Sequence, residues 1–112
     1  MNKQRTLVLT LSKTPFELMY KGIKKREFRK PSEWIKSRLF NKDGTRKDYD
    51  VVKFTNGYGN NKPTFTAIFN GFDSIKEDTS IPYDTLTVEA SKGDFVIFLG
   101  DVIKKKNIKQ LK

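Results

Sequence analysis

Apolar and polar residues follow two different rhythms along this chain. Thr6–Leu11 reads Thr-Leu-Val-Leu-Thr-Leu, β-branched and apolar with partial alternation, and predicts a buried first strand. The period then changes. Phe16, Met19 and Tyr20 fall three and four apart, which puts them on one face of a helix. Thr14 suits the N-cap of that helix and Pro15 its first turn. Glu17 is spaced to complete a capping box, and Gly22 to end the helix. The charged run Lys24–Arg29 comes next and is closed by Pro31, so it reads as a short strand. Ser32 caps a second short helix, Glu33 to about Phe40, whose apolar side is Trp34, Ile35 and Leu39; on this reading Trp34 belongs to the core.

Asn41 to Thr45 is a turn by composition, and beyond it the pattern is β. Strands are expected over Tyr49–Thr55, over the strictly alternating Thr64–Asn70, over Asp84–Ala90, and over Phe95–Leu99 with an extension to Ile103. Gly100 interrupts the last run and marks a bulge or bend. Residues 104–112 have no apolar period and are expected to fray as a basic tail behind a single domain, 1–103. Two helices near the N-terminus and five or six short strands define an α+β class, a small mixed β-barrel with helices over its ends.

Composition narrows the chemistry. The 112 residues contain no Cys and no His. Disulfides, thiol or imidazole catalysis and His- or Cys-ligated metals are excluded, and no carboxylates are spaced as a metal cluster. We therefore expect no metal and no cofactor. Any catalysis falls to Lys, Asp/Glu, Tyr, Ser/Thr or Arg. No apolar run approaches bilayer length and the start lacks a signal-peptide pattern, so neither a membrane nor an export role is expected; a cytoplasmic home agrees with the absence of Cys.

The net charge of +10 is unevenly placed. Residues 1–48 carry 14 basic and 5 acidic side chains, residues 49–103 carry 4 and 8, and residues 104–112 carry 5 and none. A cationic half of this kind points to a polyanion, with nucleic acid favoured over a membrane surface because no long amphipathic basic helix is present. Plain solubility is the competing explanation. An acidic protein partner, as a small phage-type interaction module would bind, is the other.

Two segments carry candidate chemistry. In Lys24–Arg29, a glutamate flanked by cations stays ionised and can hold a neighbouring guanidinium, while the remaining cations face outward towards phosphates. Lys24 and Glu27 form the candidate catalytic pair, Lys24 as base or oxyanion stabiliser and Glu27 as orienting or proton-accepting group. A regular strand would point these two side chains to opposite faces, so their cooperation requires a bulge or turn. Lys24, Lys25, Arg26 and Arg29 are candidate phosphate-binding residues. In the loop 56–63, Tyr58 is a candidate base-stacking residue and Asn56 a candidate base-edge reader; a hairpin turn with Tyr58 on the barrel rim is the simpler alternative.

The order of these features resembles the ASCH domain of the PUA-like superfamily. The resemblance rests on Thr10–Glu17, on Gly22-x-Lys24-x-x-Glu27-x-Arg29, on Val52–Tyr58 and on Phe95–Ile103, and spans roughly residues 6–103. It implies a PUA-like barrel with a cleft beside the first helix and a role in binding RNA or a nucleotide. It also implies, as an alternative, an enzyme on RNA or a modified nucleoside, either a ribonuclease or an amidohydrolase of acetylated cytidine. In the amidohydrolase branch the motif reads G-x-K-T-x-T, with a further glutamate. Lys24 matches the lysine, whereas Lys25 and Glu27 stand at the threonine positions. Glu77 and Glu89 are the candidates for the distal glutamate.

Overall fold

A computed structural model describes residues 4–59 and 61–108. In chain order the elements are β1 (Thr6–Leu11), α1 (Lys13–Tyr20), β2 (Arg26–Arg29), α2 (Glu33–Leu39), β3 (Val51–Asn56), β4 (Thr64–Ser74), β5 (Thr79–Tyr83), β6 (Leu86–Ala90) and β7 (Phe95–Lys106). The fold is a small α+β domain. Five strands form one curled sheet in the order β1-β3-β4-β7-β2, parallel between β1 and β3 and antiparallel elsewhere. β5 and β6 make a separate hairpin. The expected β-barrel is thus a half-barrel, with β1 and β2 as its free edges and, among the described residues, no ladder between them.

The curl has a local cause. The β4–β7 ladder changes register three times, between Thr66 and Ala67, between Ala67 and Phe69, and between Phe69 and Phe72. Each shift inserts an unpaired residue, which bends the strands and increases their twist. One shift falls at Gly100, as its place in the sequence predicts. A Cβ on Gly100 would lie 2.9 Å from the Ile68 Cβ, so only glycine lets the two strands approach this closely. Inside the curl, Phe16 of α1 meets Phe65 edge-on at 5.0 Å, and Phe65 stacks on Phe54 at 5.0 Å. Leu7, Leu9, Ile35, Leu39, Val52 and Ile97 complete the buried centre. A fully buried side chain of this kind contributes roughly 1.5–3 kcal/mol, so this cluster holds the helices to the sheet.

Several expectations are corrected. The N-cap of α1 is Ser12, not Thr14, its side chain makes no cap bond, and no capping box forms. Glu17 instead lies 3.7 Å from Lys13, one turn back along the helix. β5 lies outside the strands expected from the sequence; Pro82 breaks its pattern, and it survives because it pairs only with β6, where a missing N–H is tolerated. β6 begins at Leu86 because Asp84 occupies the turn at φ +53°. β4 runs on past Asn70 to Ser74. Lys104, Lys105 and Lys106 are strand residues opposite Thr66, Phe65 and Thr64, not part of a frayed tail. The remainder of that expected tail, 109–112, lies outside the described residues. Among the described residues, no helix is long and apolar enough to cross a membrane.

Candidate functional site

Lys24 reaches its place through the end of α1. Gly22, at φ +81°, donates to the Met19 carbonyl (3.0 Å) while Ile23 donates to that of Leu18 (2.9 Å), the paired closure that left-handed glycine permits at a helix C-terminus. The Lys24 N–H bonds to the same Leu18 carbonyl at 3.0 Å. The chain is thereby turned under the helix before β2 begins at Arg26. Lys24 is therefore not a strand residue, and the reversal supplies the turn that its pairing with Glu27 demands.

The Lys24 side chain is only 1% exposed. Its ammonium donates to Glu27 Oε1 (3.3 Å), to Met19 Sδ (3.8 Å) and to the Arg26 carbonyl. The rings of Phe28 and Tyr83 flank it, with centroids 5.5 and 5.6 Å away. Burial pulls the Lys24 pKa below its ordinary value, and Arg29 and Arg26 add to this; the Glu27 carboxylate opposes it. The second oxygen of Glu27 accepts from Arg29 Nε at 2.8 Å, and the Arg29 guanidinium donates onward to the Thr10 carbonyl at 2.7 Å. The chain Lys24–Glu27–Arg29–Thr10 thus spans the gap between edge strands β2 and β1. With all three N–H donors directed inward, Lys24 acts here as an anchored cation that fixes Glu27, which in turn aims Arg29.

Arg29 emerges into a groove of about 990 Å³ along the outer side of β1. Its walls hold three cations, Arg29, Arg38 and Lys47, and three aromatic rings, Trp34, Tyr49 and Tyr58; no acidic residue lines it. Trp34 is 47% exposed and Tyr58 85% exposed. The Arg38 guanidinium lies over the Trp34 ring at 4.9 Å, which holds both side chains in place. Tyr49 donates its hydroxyl to the Arg38 carbonyl, and Lys47 donates to the Ser37 carbonyl at 3.0 Å, so the loop before β3 is fastened to α2. Among the described residues neither Arg38 nor Lys47 is in an ion pair.

The residues expected from the sequence are thereby divided. Arg29 and Tyr58 line the groove, while Lys24 and Glu27 lie behind it as support and border a smaller cleft of about 420 Å³ beside Phe28 and Leu86; Lys24 also borders a cavity of about 390 Å³ on the side of Met19 and Leu99. Lys25 lines that last cavity too, and Arg26 packs over Phe28 and Tyr83. Asn56 donates its amide to the Leu11 carbonyl at 3.2 Å, a clasp between β3 and β1 that places the following Gly57 and Tyr58 against the groove. Trp34 reverses its expected place. Ile35 and Leu39, four apart, form the buried line of α2, so Trp34 and Arg38, also four apart, form the line beside it that faces solvent. That spacing is legible in the sequence. The contributions of Lys47 and Tyr49 depend on how the loop before β3 folds back. Comparison of the chain with protein-family models, with curated proteins and with solved structures yields no match.

Proposed function

We propose that this protein binds RNA or a nucleotide in the groove between α2, β1 and the 56–63 loop, as a PUA-like domain of the ASCH type. The observation that carries this reading is the groove's composition: exposed Trp34 and Tyr58 beside Arg29, Arg38 and Lys47, with no lining carboxylate. Aromatic faces offer stacking to any base at about 1–3 kcal/mol each, and clustered cations neutralise phosphates. The cationic first half of the chain supplies the long-range attraction. The sequence order of strand, helix, G-x-K-x-x-E-x-R and β-rich remainder supports the ASCH assignment. Binding is favoured over catalysis because the Lys24 ammonium already spends its donors on Met19, Arg26 and Glu27.

Fluorescence anisotropy with single-stranded RNA tests the reading. Trp34→Ala and Arg38→Ala should each weaken binding about tenfold, the loss of one stacking or one charged contact, whereas Lys92→Ala, outside the groove, should not. Affinity should also fall steeply with added salt. Salt-independent binding, or equal affinity in all three variants, would overturn it.

A further inference from the structure

A second basic surface continues from the groove. Thr6, Lys53, Thr64, Thr66, Lys104 and Lys106 are among the residues that line a depression of about 380 Å³, and Thr6 belongs to its rim and to that of the groove alike. The strand registers explain the arrangement. Val8 of β1 stands beside Lys53 of β3, Lys53 beside Thr66 of β4, and Thr66 beside Lys104 of β7. One row over, Thr10, Thr55, Thr64 and Lys106 are neighbours in the same way. These side chains are on the outer face of the curl, opposite the core. Lys53, Lys104 and Lys106 are exposed and make no ion pair among the described residues. Asp48 and Asp50, close by in sequence, are both turned to Arg5. Lysines and hydroxyls thus cover the sheet for three strand spacings beyond β1, about 14 Å at ~4.8 Å per strand.

Resting on the groove reading above, we infer that the ligand is a single-stranded polynucleotide longer than the groove: its bases stack at Trp34 and Tyr58, and its backbone continues over β1 onto Lys53, Lys104 and Lys106. A mononucleotide engages the groove alone and leaves this second surface without an anion to meet. A strand satisfies both, and the threonine hydroxyls between the lysines supply neutral hydrogen bonds to phosphate or ribose oxygens along the way. The chemistry of the sheet face, cationic without aromatic rings, suits backbone contact and gives no base discrimination there.

The test compares anisotropy titrations with uridine monophosphate and with oligouridylates of about three and about ten nucleotides, the first below and the second within the site sizes of single-strand-binding folds. The longer oligomer should bind the unaltered protein at least about tenfold tighter than the shorter. A variant with Lys53→Ala, Lys104→Ala and Lys106→Ala should lose that advantage. Its log-affinity against log-salt slope should flatten by about 2, the value for three phosphate contacts on a single strand, and its affinity for the short oligomer should be unchanged. Because all three lysines point to solvent, a circular-dichroism melt should match the parent, and Lys53→Gln with Lys104→Gln provides a milder second variant with the same expected direction. Equal affinity for both lengths, with Trp34→Ala still weakening both, overturns the extended track and leaves the groove in place. Absence of binding at every length overturns the groove and the track together.

Discussion

Lys24 shows how one residue's meaning depends on where its neighbours turn. A lysine three positions before a glutamate is ordinarily a solvent-facing pair of little energetic weight. Here both side chains are enclosed, and Glu27 is the carboxylate that compensates the ammonium. Removing one partner of a buried pair strands the other, at a typical cost of about 3–5 kcal/mol. Glu27→Ala should therefore destabilise the fold by that order in urea unfolding, whereas Lys24→Met, which keeps the length and leaves Glu27 with Arg29, should cost much less. The pH dependence has a definite sign. The folded state holds the Lys24 proton less tightly than the unfolded chain, whose pKa is 10.5. Between the depressed folded value and 10.5 the unfolded state binds more protons, so this residue's contribution to stability rises with pH across that window. Subtracting the stability curve of Lys24→Met from that of the parent should leave an increment growing towards alkaline pH; a flat difference would refute the assignment.

At the level of elements, the two helices differ in how they begin. Ser32 Oγ accepts from the Ile35 N–H at 3.1 Å and so satisfies one of the open donors of α2. Neither Ser12 nor Thr14 does this for α1, whose packing through Phe16 and Met19 takes the place of a cap. Ser32→Ala should accordingly lower stability by about 1 kcal/mol, and Thr14→Ala should change it by a few tenths at most, as read by thermal melts. The strands show the same division between local and distant causes. Alternation in Thr64–Asn70 is enough to identify the start of β4, yet its continuation through Gly71 to Ser74 depends on the partner β7 being there to receive it. β6 is legible as the later part of the run Asp84–Ala90, whereas β5 is short, exposes three of its five residues and is interrupted by Pro82, so it has no apolar stripe to announce it alone.

For the whole molecule, the open side of the half-barrel is the feature on which the site depends. Among the described residues β1 and β2 have no backbone ladder between them, and the Glu27–Arg29–Thr10 chain crosses that opening. Arg29 is thus a structural tie and a groove cation at once. Arg29→Met should speed hydrogen exchange in β1 and β2 while the β3–β4–β7 centre keeps its protection, since only the edges lose a connection. It should also weaken RNA binding, through the lost charge and the loosened groove wall. Salt dependence belongs to this scale as well. The +10 of the chain is gathered into a basic surface because α2, β1 and the outer sheet face bring Arg38, Lys47 and Lys53 to the rims of adjoining depressions.

By itself the sequence determined the α+β class, the boundaries of β1 and α2, the glycine closure of α1, the bulge at Gly100, and the pairing of Glu27 with the neighbouring Arg29. Each of these follows from spacing, turn chemistry or charge within a few residues. Tertiary structure alone decided that the barrel stays open, that Lys24 is enclosed, and that Trp34 faces a groove with Tyr49 and Lys47. It also decided that Lys104 to Lys106 form a strand. The reason is physical: these outcomes depend on pairings between distant segments, where a register set by three bulges chooses which face each side chain meets.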